Sequence, residues 1–179
     1  SLGRSYNLVK AIKGVTSLPL SIHTHETSGT GSMTLLKAVE AGADLIDTAI
    51  SPLSRGTSQP PTETMNYVLR EMGYETNWKL DKLNQSATHF KGVRDGFRES
   101  GLLNPKVYDV DPGILISQVP GGMLSNLLSQ LKEAKKEDRY EDVLSEIPKV
   151  RAELGYPPLV TPLSQMVGTQ AVMNVLTEE

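Results

Sequence analysis

The chain has no cysteine among its 179 residues, so a disulfide framework and a thiolate metal site are both excluded. This composition fits a reducing compartment, and we expect a cytoplasmic protein. No apolar run approaches the roughly 20 residues that a membrane-spanning helix needs, and no signal peptide opens the chain. We therefore expect no direct insertion into a membrane.

The sequence also lacks long runs of like charge. The net charge is −3, and positive and negative residues alternate even in the most charged stretch, residues 132–142. A nucleic-acid-binding surface would need clustered Lys and Arg, so the composition predicts no nucleic-acid partner. A hydrophobic share of 38% with 22% charged residues is typical of a globular protein with a real core.

The first 51 residues alternate between predicted helices and predicted strands. Apolar spacing predicts a helix over 5–14, a strand over 18–26, a helix over 31–42 and a strand over 43–51. Helices and strands joined by short loops indicate a parallel α/β sheet or barrel. Two parallel strands cannot bury both their faces, so these elements alone make an incomplete sheet.

From residue 62 onward the pattern is helical and poor in strands. Helices are predicted over residues 62–73, 80–97, 123–134, 140–155 and 162–176. Thr62 is the expected N-cap of the first of them. We count the first of these helices with the α/β elements before it. The sequence then divides into an α/β portion at 1–75 and a helical portion at 76–179.

Two of the three histidines, His23 and His25, lie one residue apart in the first predicted strand. Alternate strand residues share a face, so both imidazoles point the same way, ~6.5–7 Å apart along the strand, and could converge on one divalent ion. The alternative is a hydrogen-bonded pair without a ligand. A catalytic metal site needs at least three protein ligands. Asp47 of the second strand is a candidate third ligand, whereas His89 falls in a predicted helix.

Six separated stretches, in the same order, resemble the carboxyltransferase family of biotin-dependent enzymes. That family includes the α subunit of oxaloacetate decarboxylase, the corresponding part of pyruvate carboxylase and a transcarboxylase subunit. The stretches that carry the resemblance are LVKAIK, HTHETSG, KAVEAGADLIDTAIS, GTSQP, QVPGGMLSN and PPLVTPLSQMVGTQAV. Together they span nearly the whole chain.

The resemblance implies a fold of class α/β plus α, mostly helical overall. The family has an eight-stranded TIM-type barrel followed by a helical, funnel-like C-terminal domain. On that plan the histidine strand is the seventh and residues 43–51 form the eighth. The chain would hold the last two strand–helix units of the barrel within 1–75 and the helical domain within 76–179.

The resemblance also implies cofactors. In the family a divalent metal (Zn, Mn or Co) is held by two histidines, which match His23 and His25. The other ligands are an aspartate and a carbamylated lysine on earlier strands, which this chain does not contain. Asp47 is not a family ligand and is expected to be structural. Biotin is expected on a separate domain or chain, since no Met-Lys-Met motif is present.

The loop GTSQP, residues 56–60, receives a chemical role from the resemblance. It implies that the Thr57 hydroxyl carries a proton between the methyl group of the keto acid and biotin, because a hydroxyl can donate and accept. The residues alone favour another role, a loop threonine that caps the helix at 62. Ser58 and Gln59 are expected to shape the biotin pocket.

The predicted function is carboxyl transfer between carboxybiotin and pyruvate or oxaloacetate, with a biotin carrier domain or subunit as partner. The motifs do not separate oxaloacetate decarboxylase, pyruvate carboxylase and transcarboxylase. In the first case the protein would lie at the periphery of a membrane decarboxylase complex. The alternatives are an amidohydrolase-type metal hydrolase, which needs histidines on later strands, and a non-catalytic helical interaction module. Because half of the ligand set is missing, we expect the chain alone to be inactive. Two barrel strands alone would leave edges and an apolar face exposed, so we expect pairing with another copy or a companion fragment, or a rearranged packing in which the helical part supplies the core.

Overall fold

The structure is a computed structural model that describes residues 2–103, 105–117 and 121–177. These residues form two compact units, one ending at Val110 and the other beginning at Asp111. Each unit has a hydrophobic cluster of its own. Most of the described residues are helical, as expected. The predicted division after residue 75 separates an α/β portion from a helical portion, and it stays a prediction.

The first unit begins with two helices and two strands in alternation. In chain order they are α1 (Leu2–Lys13), β1 (Ser21–Ile22), α2 (Gly31–Glu40) and β2 (Leu45–Ile46). The strands pair in parallel, with Ser21 opposite Leu45 and Ile22 opposite Ile46. The order and the parallel direction agree with the sequence prediction. The strands are only two residues long, far shorter than the predicted segments.

A small apolar cluster joins α1, α2 and β1. Its buried and part-buried members include Val9, Ala38, Ala41, Leu20 and Ile22. Leu18 and Leu45, next to and within the strands, remain 70% and 55% exposed. The strand pair therefore contributes only part of its apolar surface to this cluster.

Asp44 ties α1 to the start of the strand pair. Its Oδ2 accepts hydrogen bonds from the Leu20 amide at 2.7 Å and from Lys13 Nζ at 2.9 Å. The bond from Lys13, followed by the bond from the Leu20 amide, lowers the pKa of this carboxyl below its ordinary value. One side chain thus fixes where β1 begins relative to β2.

Between 3-10 helices at Ser51–Leu53 and Pro105–Tyr108, the first unit has two α-helices. They are α3 (Thr62–Glu71) and α4 (Leu80–Glu99). The predicted cap is wrong by one position, because Pro61 is the N-cap and Thr62 is the first helical residue. The Thr62 hydroxyl instead donates to Thr48 Oγ1 at 2.8 Å, which ties the helix to the segment after β2.

The second unit consists mainly of helices around one core. Its elements are α5 (Ile114–Ser117), α6 (Gly121–Glu133), α7 (Tyr140–Glu153) and α8 (Leu163–Thr177), with a short 3-10 helix at Glu137–Arg139. Leu127, Leu131, Ile147 and Val167 are at most 1% exposed. The three long helices lie within a few residues of their predicted bounds. Residues 118–120, part of the Gln-Val-Pro-Gly-Gly motif, lie outside the described residues.

Gly168 allows α8 to approach α6 closely. A Cβ at this position would lie 2.8 Å from Met123 Cε and 3.3 Å from Leu127 Cδ2, so a larger residue would displace core side chains. In the same unit, Asn174 Nδ2 donates to Glu146 Oε1 at 3.1 Å and joins α8 to α7. None of the described helices is long and apolar enough to cross a membrane.

Candidate functional site

His23 and His25 directly follow β1, on the segment that leads to α2. Their Nε2 atoms lie 3.3 Å apart. The two rings are nearly perpendicular, with an interplanar angle of 81° and centroids 5.1 Å apart. His23 is exposed and His25 is half-buried. The structure thus brings the two imidazole rings together at one point.

An oxygen atom holds each of the two rings from behind. His23 Nδ1 is 2.9 Å from Asp47 Oδ2, and His25 Nδ1 is 2.5 Å from the Thr57 carbonyl oxygen. A carbonyl or carboxylate oxygen accepts, so each Nδ1 must donate its N–H. In the neutral imidazole each Nε2 then carries a lone pair. Metal-binding histidines are oriented by a second hydrogen bond of this kind.

The spacing of the two Nε2 atoms fits a shared cation. Facing lone pairs repel unless a proton or a cation lies between them. Two nitrogens that are each ~2.0–2.1 Å from one tetrahedral ion are about 3.3–3.4 Å apart, which matches the 3.3 Å observed. Across residues 2–103, 105–117 and 121–177, no group of three or more His, Cys, Asp or Glu side chains is arranged to hold a metal ion. Within the described residues the two histidines are thus a pair without a third such side chain.

Asp47 orients a ring and does not supply a third ligand to this pair. Its Oδ2 contacts the Nδ1 of His23, the nitrogen on the far side of the ring from the converging Nε2 atoms. This agrees with the structural role that the family resemblance implies. His89 lies on α4, exposed, with its ring edge-on to Phe90 at 5.3 Å between centroids. It takes no part in the site.

Residues 55–59 form a tight loop next to His25. Arg55 and Gly56 both have positive φ, 72° and 53°, which turns the chain sharply. The Arg55 amide donates to the Gln59 carbonyl at 3.0 Å, and the Ser58 amide donates to the Arg55 carbonyl at 2.9 Å. The Ser58 hydroxyl donates to Gln59 Oε1 at 3.2 Å. Thr57 meets His25 through its carbonyl, and its side chain is half-buried.

The idea that Thr57 caps the helix at 62 is not supported. α3 has Pro61 as its N-cap and no side-chain hydrogen bond at that end. Thr57 is instead part of the wall beside the histidine pair.

Glu26 and Gly31 were missed as site residues by sequence reasoning. Glu26 is 7% exposed, and its Oε2 accepts from both the amide and the hydroxyl of Ser32 at 2.8 Å. Its own amide donates to the Ser58 carbonyl at 2.8 Å. A Cβ on Gly31 would lie 2.7 Å from the His25 carbonyl oxygen. The available signal was a glutamate directly after the second histidine, followed by a Ser- and Gly-rich turn.

Comparison with known proteins covers both units. Residues 3–89 match the HMGL-like family model, and residues 114–179 match a conserved carboxylase domain. Over 174 residues the chain is 55% identical to a pyruvate carboxylase subunit of Methanocaldococcus jannaschii, covering 97% of this chain and 30% of that protein. The chain belongs to the biotin-dependent carboxyltransferase family.

Two further relatives agree with this assignment to the carboxyltransferase family. It is 45% identical to the methylmalonyl-CoA carboxyltransferase 5S subunit of Propionibacterium freudenreichii subsp. shermanii, over 98% of this chain and 34% of that protein. It also resembles the carboxyl transferase domain of Rhizobium etli pyruvate carboxylase with pyruvate and biocytin. The TM-score is 0.87 at 27% identity, over 99% of this chain and 30% of that one.

The chain spans about a third of the length of these relatives. The family resemblance that the six ordered motifs predicted is confirmed. This family assignment argues against the alternative of an amidohydrolase-type metal hydrolase.

Proposed function

We propose that this chain is part of an enzyme that transfers a carboxyl group between carboxybiotin and pyruvate or oxaloacetate. The observation that carries the proposal is the convergence of the His23 and His25 Nε2 atoms while oxygen atoms hold both Nδ1 atoms. The family of the chain supports it. The matches at 3–89 and 114–179 also support a fold in which the last two barrel units precede a funnel-like helical domain.

His23 and His25 would hold a divalent ion (Zn, Mn or Co) through Nε2. When bound, such an ion supplies Lewis acidity that stabilises negative charge developing on the carbonyl oxygen of the keto acid. Asp47 and the Thr57 carbonyl keep the two rings aimed at one point. The remaining ligands would come from the rest of the complete protein.

Carboxyl transfer also requires a proton to leave the methyl group of pyruvate. The Thr57 hydroxyl would accept that proton and donate its own to N1 of biotin, which has given up the carboxyl group, since one hydroxyl can act as acceptor and donor. The position of Thr57 in the loop that holds His25 supports this role. Ser58 and Gln59 would shape the biotin pocket from the same loop.

The partners follow from the same reaction. A biotin carrier domain or subunit would present the carboxyl group, and pyruvate or oxaloacetate would be the substrate. Among the relatives, the Rhizobium etli domain was solved with pyruvate and biocytin together. A second copy or a companion segment would cover the open edges of the strand pair.

The test uses the complete protein and measures oxaloacetate decarboxylation with free biotin as carboxyl acceptor. His23→Ala and His25→Ala should each lower turnover by more than about 100-fold. Each should also lower the amount of bound metal, measured by elemental analysis. The matched control, His89→Ala, should keep both. Full metal content and turnover in His25→Ala would overturn the metal assignment. The 179-residue chain alone should be inactive, and biotin-dependent decarboxylation of oxaloacetate by it would contradict that.

The same assay tests the hydroxyl. Thr57→Val keeps the side-chain shape and should lower turnover by about 10²–10⁴-fold with metal content unchanged, whereas Thr57→Ser should retain activity. Thr161→Val, in the shared Leu-Val-Thr-Pro stretch, removes a different hydroxyl. Loss of turnover there, with retention in Thr57→Val, would transfer the proton-carrying role to Thr161.

A further inference from the structure

We propose that Glu26 is a positioning residue for the His23–His25 pair, an inference that rests on the proposed metal role of the two histidines. Its side chain fastens the histidine segment to the start of α2, and its backbone fastens the same segment to the loop 55–59. The two attachments together set the gap between the imidazole nitrogens.

The carboxylate of Glu26 has a fixed place. It is buried, and its Oε2 accepts from Ser32 N and Ser32 Oγ, both at 2.8 Å. Ser32 is the second residue of α2, so its amide has no partner within the helix. A buried carboxylate needs such donors, and the N-terminal end of a helix favours negative charge. Glu26 therefore cannot shift without losing both hydrogen bonds.

The backbone carries this constraint to His25. His25 Nδ1 donates to the Thr57 carbonyl, and the next residue's amide, Glu26 N, donates to the Ser58 carbonyl at 2.8 Å. These two consecutive bonds join the histidine segment to the loop 55–59. A displaced Glu26 would pull the His25 ring away from its carbonyl partner and change the 3.3 Å gap to His23.

Gly31 removes the remaining freedom. A Cβ on Gly31 would lie 2.7 Å from the His25 carbonyl oxygen and 2.8 Å from Glu26 Oε2. The histidine segment is thus packed directly against the backbone at the start of α2. This close packing leaves no space into which Glu26 could move.

A purely structural cap would look similar, and the chain offers a matched comparison. Glu63 accepts from the Ser51 amide at 2.9 and 3.2 Å and from the Ser51 hydroxyl at 2.9 Å. This is the same chemistry as Glu26 with Ser32. Its partner belongs to the 3-10 helix at Ser51–Leu53 and not to the histidine segment.

The experiment titrates Co²⁺ into the complete protein and records its visible absorption spectrum. Glu26→Gln should weaken Co²⁺ binding about 10-fold, at the lower end for residues outside the ligand set, and should change the spectrum. Glu63→Gln should leave affinity and spectrum unchanged. If Glu26→Gln binds Co²⁺ with wild-type affinity and spectrum, Glu26 is only a cap and the inference fails.

A second variant covers a failure of Glu26→Gln to fold. Ser32→Ala removes one of the two donors and keeps the amide, so it should weaken Co²⁺ binding by a smaller factor in the same direction. Unchanged binding in a folded Ser32→Ala would also count against the inference. Absence of Co²⁺ binding by the wild-type protein would overturn the metal proposal itself, which separates the two failures.

Discussion

At the scale of single residues, oxygen acceptors determine the geometry of the site. The Asp47 carboxylate and the Thr57 carbonyl each hold one imidazole, and the Ser58 carbonyl holds the peptide that follows His25. Two of the three are main-chain atoms, which no side-chain substitution removes. The integrity of the pair therefore depends on backbone placement as much as on side-chain identity.

Gly31→Ala tests this dependence. The added methyl would meet a backbone carbonyl at 2.7 Å, which cannot rotate aside, so we expect the free energy of unfolding to fall by about 1–3 kcal/mol. Gly92→Ala is the matched control, because nothing lies within 4 Å of its Cβ position on α4. That variant should gain about 0.5–1 kcal/mol from helix propensity. Denaturant titration measures both, and a neutral Gly31→Ala would contradict the close packing.

The convergence of the two histidines could be predicted because it follows from one local rule, the alternation of side chains in an extended segment. The roles of Glu26 and Gly31 could not. Glu26 acts through Ser32, six residues on, and through Ser58, 32 residues on. Such partners depend on how loops fold back, and residue spacing does not encode that.

At the scale of elements, the long helices of the second unit were predictable and the strand lengths were not. Apolar spacing located α6, α7 and α8 to within a few residues. A strand, however, ends where its backbone partners end. The last bond of the pair is from Asp47 N to the Ile22 carbonyl, and from Glu26 on the partner is the loop at Ser58. On α4, Leu83 is buried whereas Phe90 is 37% exposed.

The first residue of α7 predicts alkaline sensitivity of the second unit. Burial, then the charges of Glu141 and Asp111, raises the pKa of Tyr140 from 10.0 to about 12. Below pH 10 the phenol is neutral in both the folded and unfolded states and contributes no pH dependence. Between pH 10 and 12 the unfolded chain ionises first, so stability falls as pH rises.

Tyr140→Phe should flatten that fall. Denaturation midpoints measured from pH 8 to 11.5 should converge or cross between wild type and variant as pH rises. Tyr156→Phe is the control, since Tyr156 is 70% exposed. Parallel pH profiles for wild type and Tyr140→Phe would show that ionisation of this phenol does not govern alkaline stability.

At the scale of the whole molecule, each unit has its own core and the cores differ in extent. Leu131 and Ile147 in the second unit are fully buried, whereas the strand pair of the first leaves Leu45 55% exposed. In the 179-residue chain we expect amides of α6–α8 to exchange with solvent more slowly than those of β1 and β2. Hydrogen exchange read by mass spectrometry measures this.

Leu131→Ala separates the units in that experiment. Removal of a fully buried leucine should cost about 2–5 kcal/mol and accelerate exchange in the second unit, with β1 and β2 unchanged. Equal acceleration throughout residues 2–177 would mean that the chain unfolds as one cooperative unit.

The family could be predicted at this scale because six motifs in a fixed order constrain nearly the whole chain, and the two family matches together cover both units. A complete ligand set could not. The proposed metal role of the histidine pair requires ligands that no local pattern supplies, and the described residues hold no larger group suited to a metal.

The tight contact at Gly31 also restricts chain length. The histidine segment is held at β1 by strand pairing and at Gly31 by backbone packing, so an insertion or deletion between residues 25 and 31 would move one anchor against the other. We therefore expect sequences that can build this pair to have a glycine six positions after the second histidine. That spacing distinguishes them from sequences that have His-x-His alone.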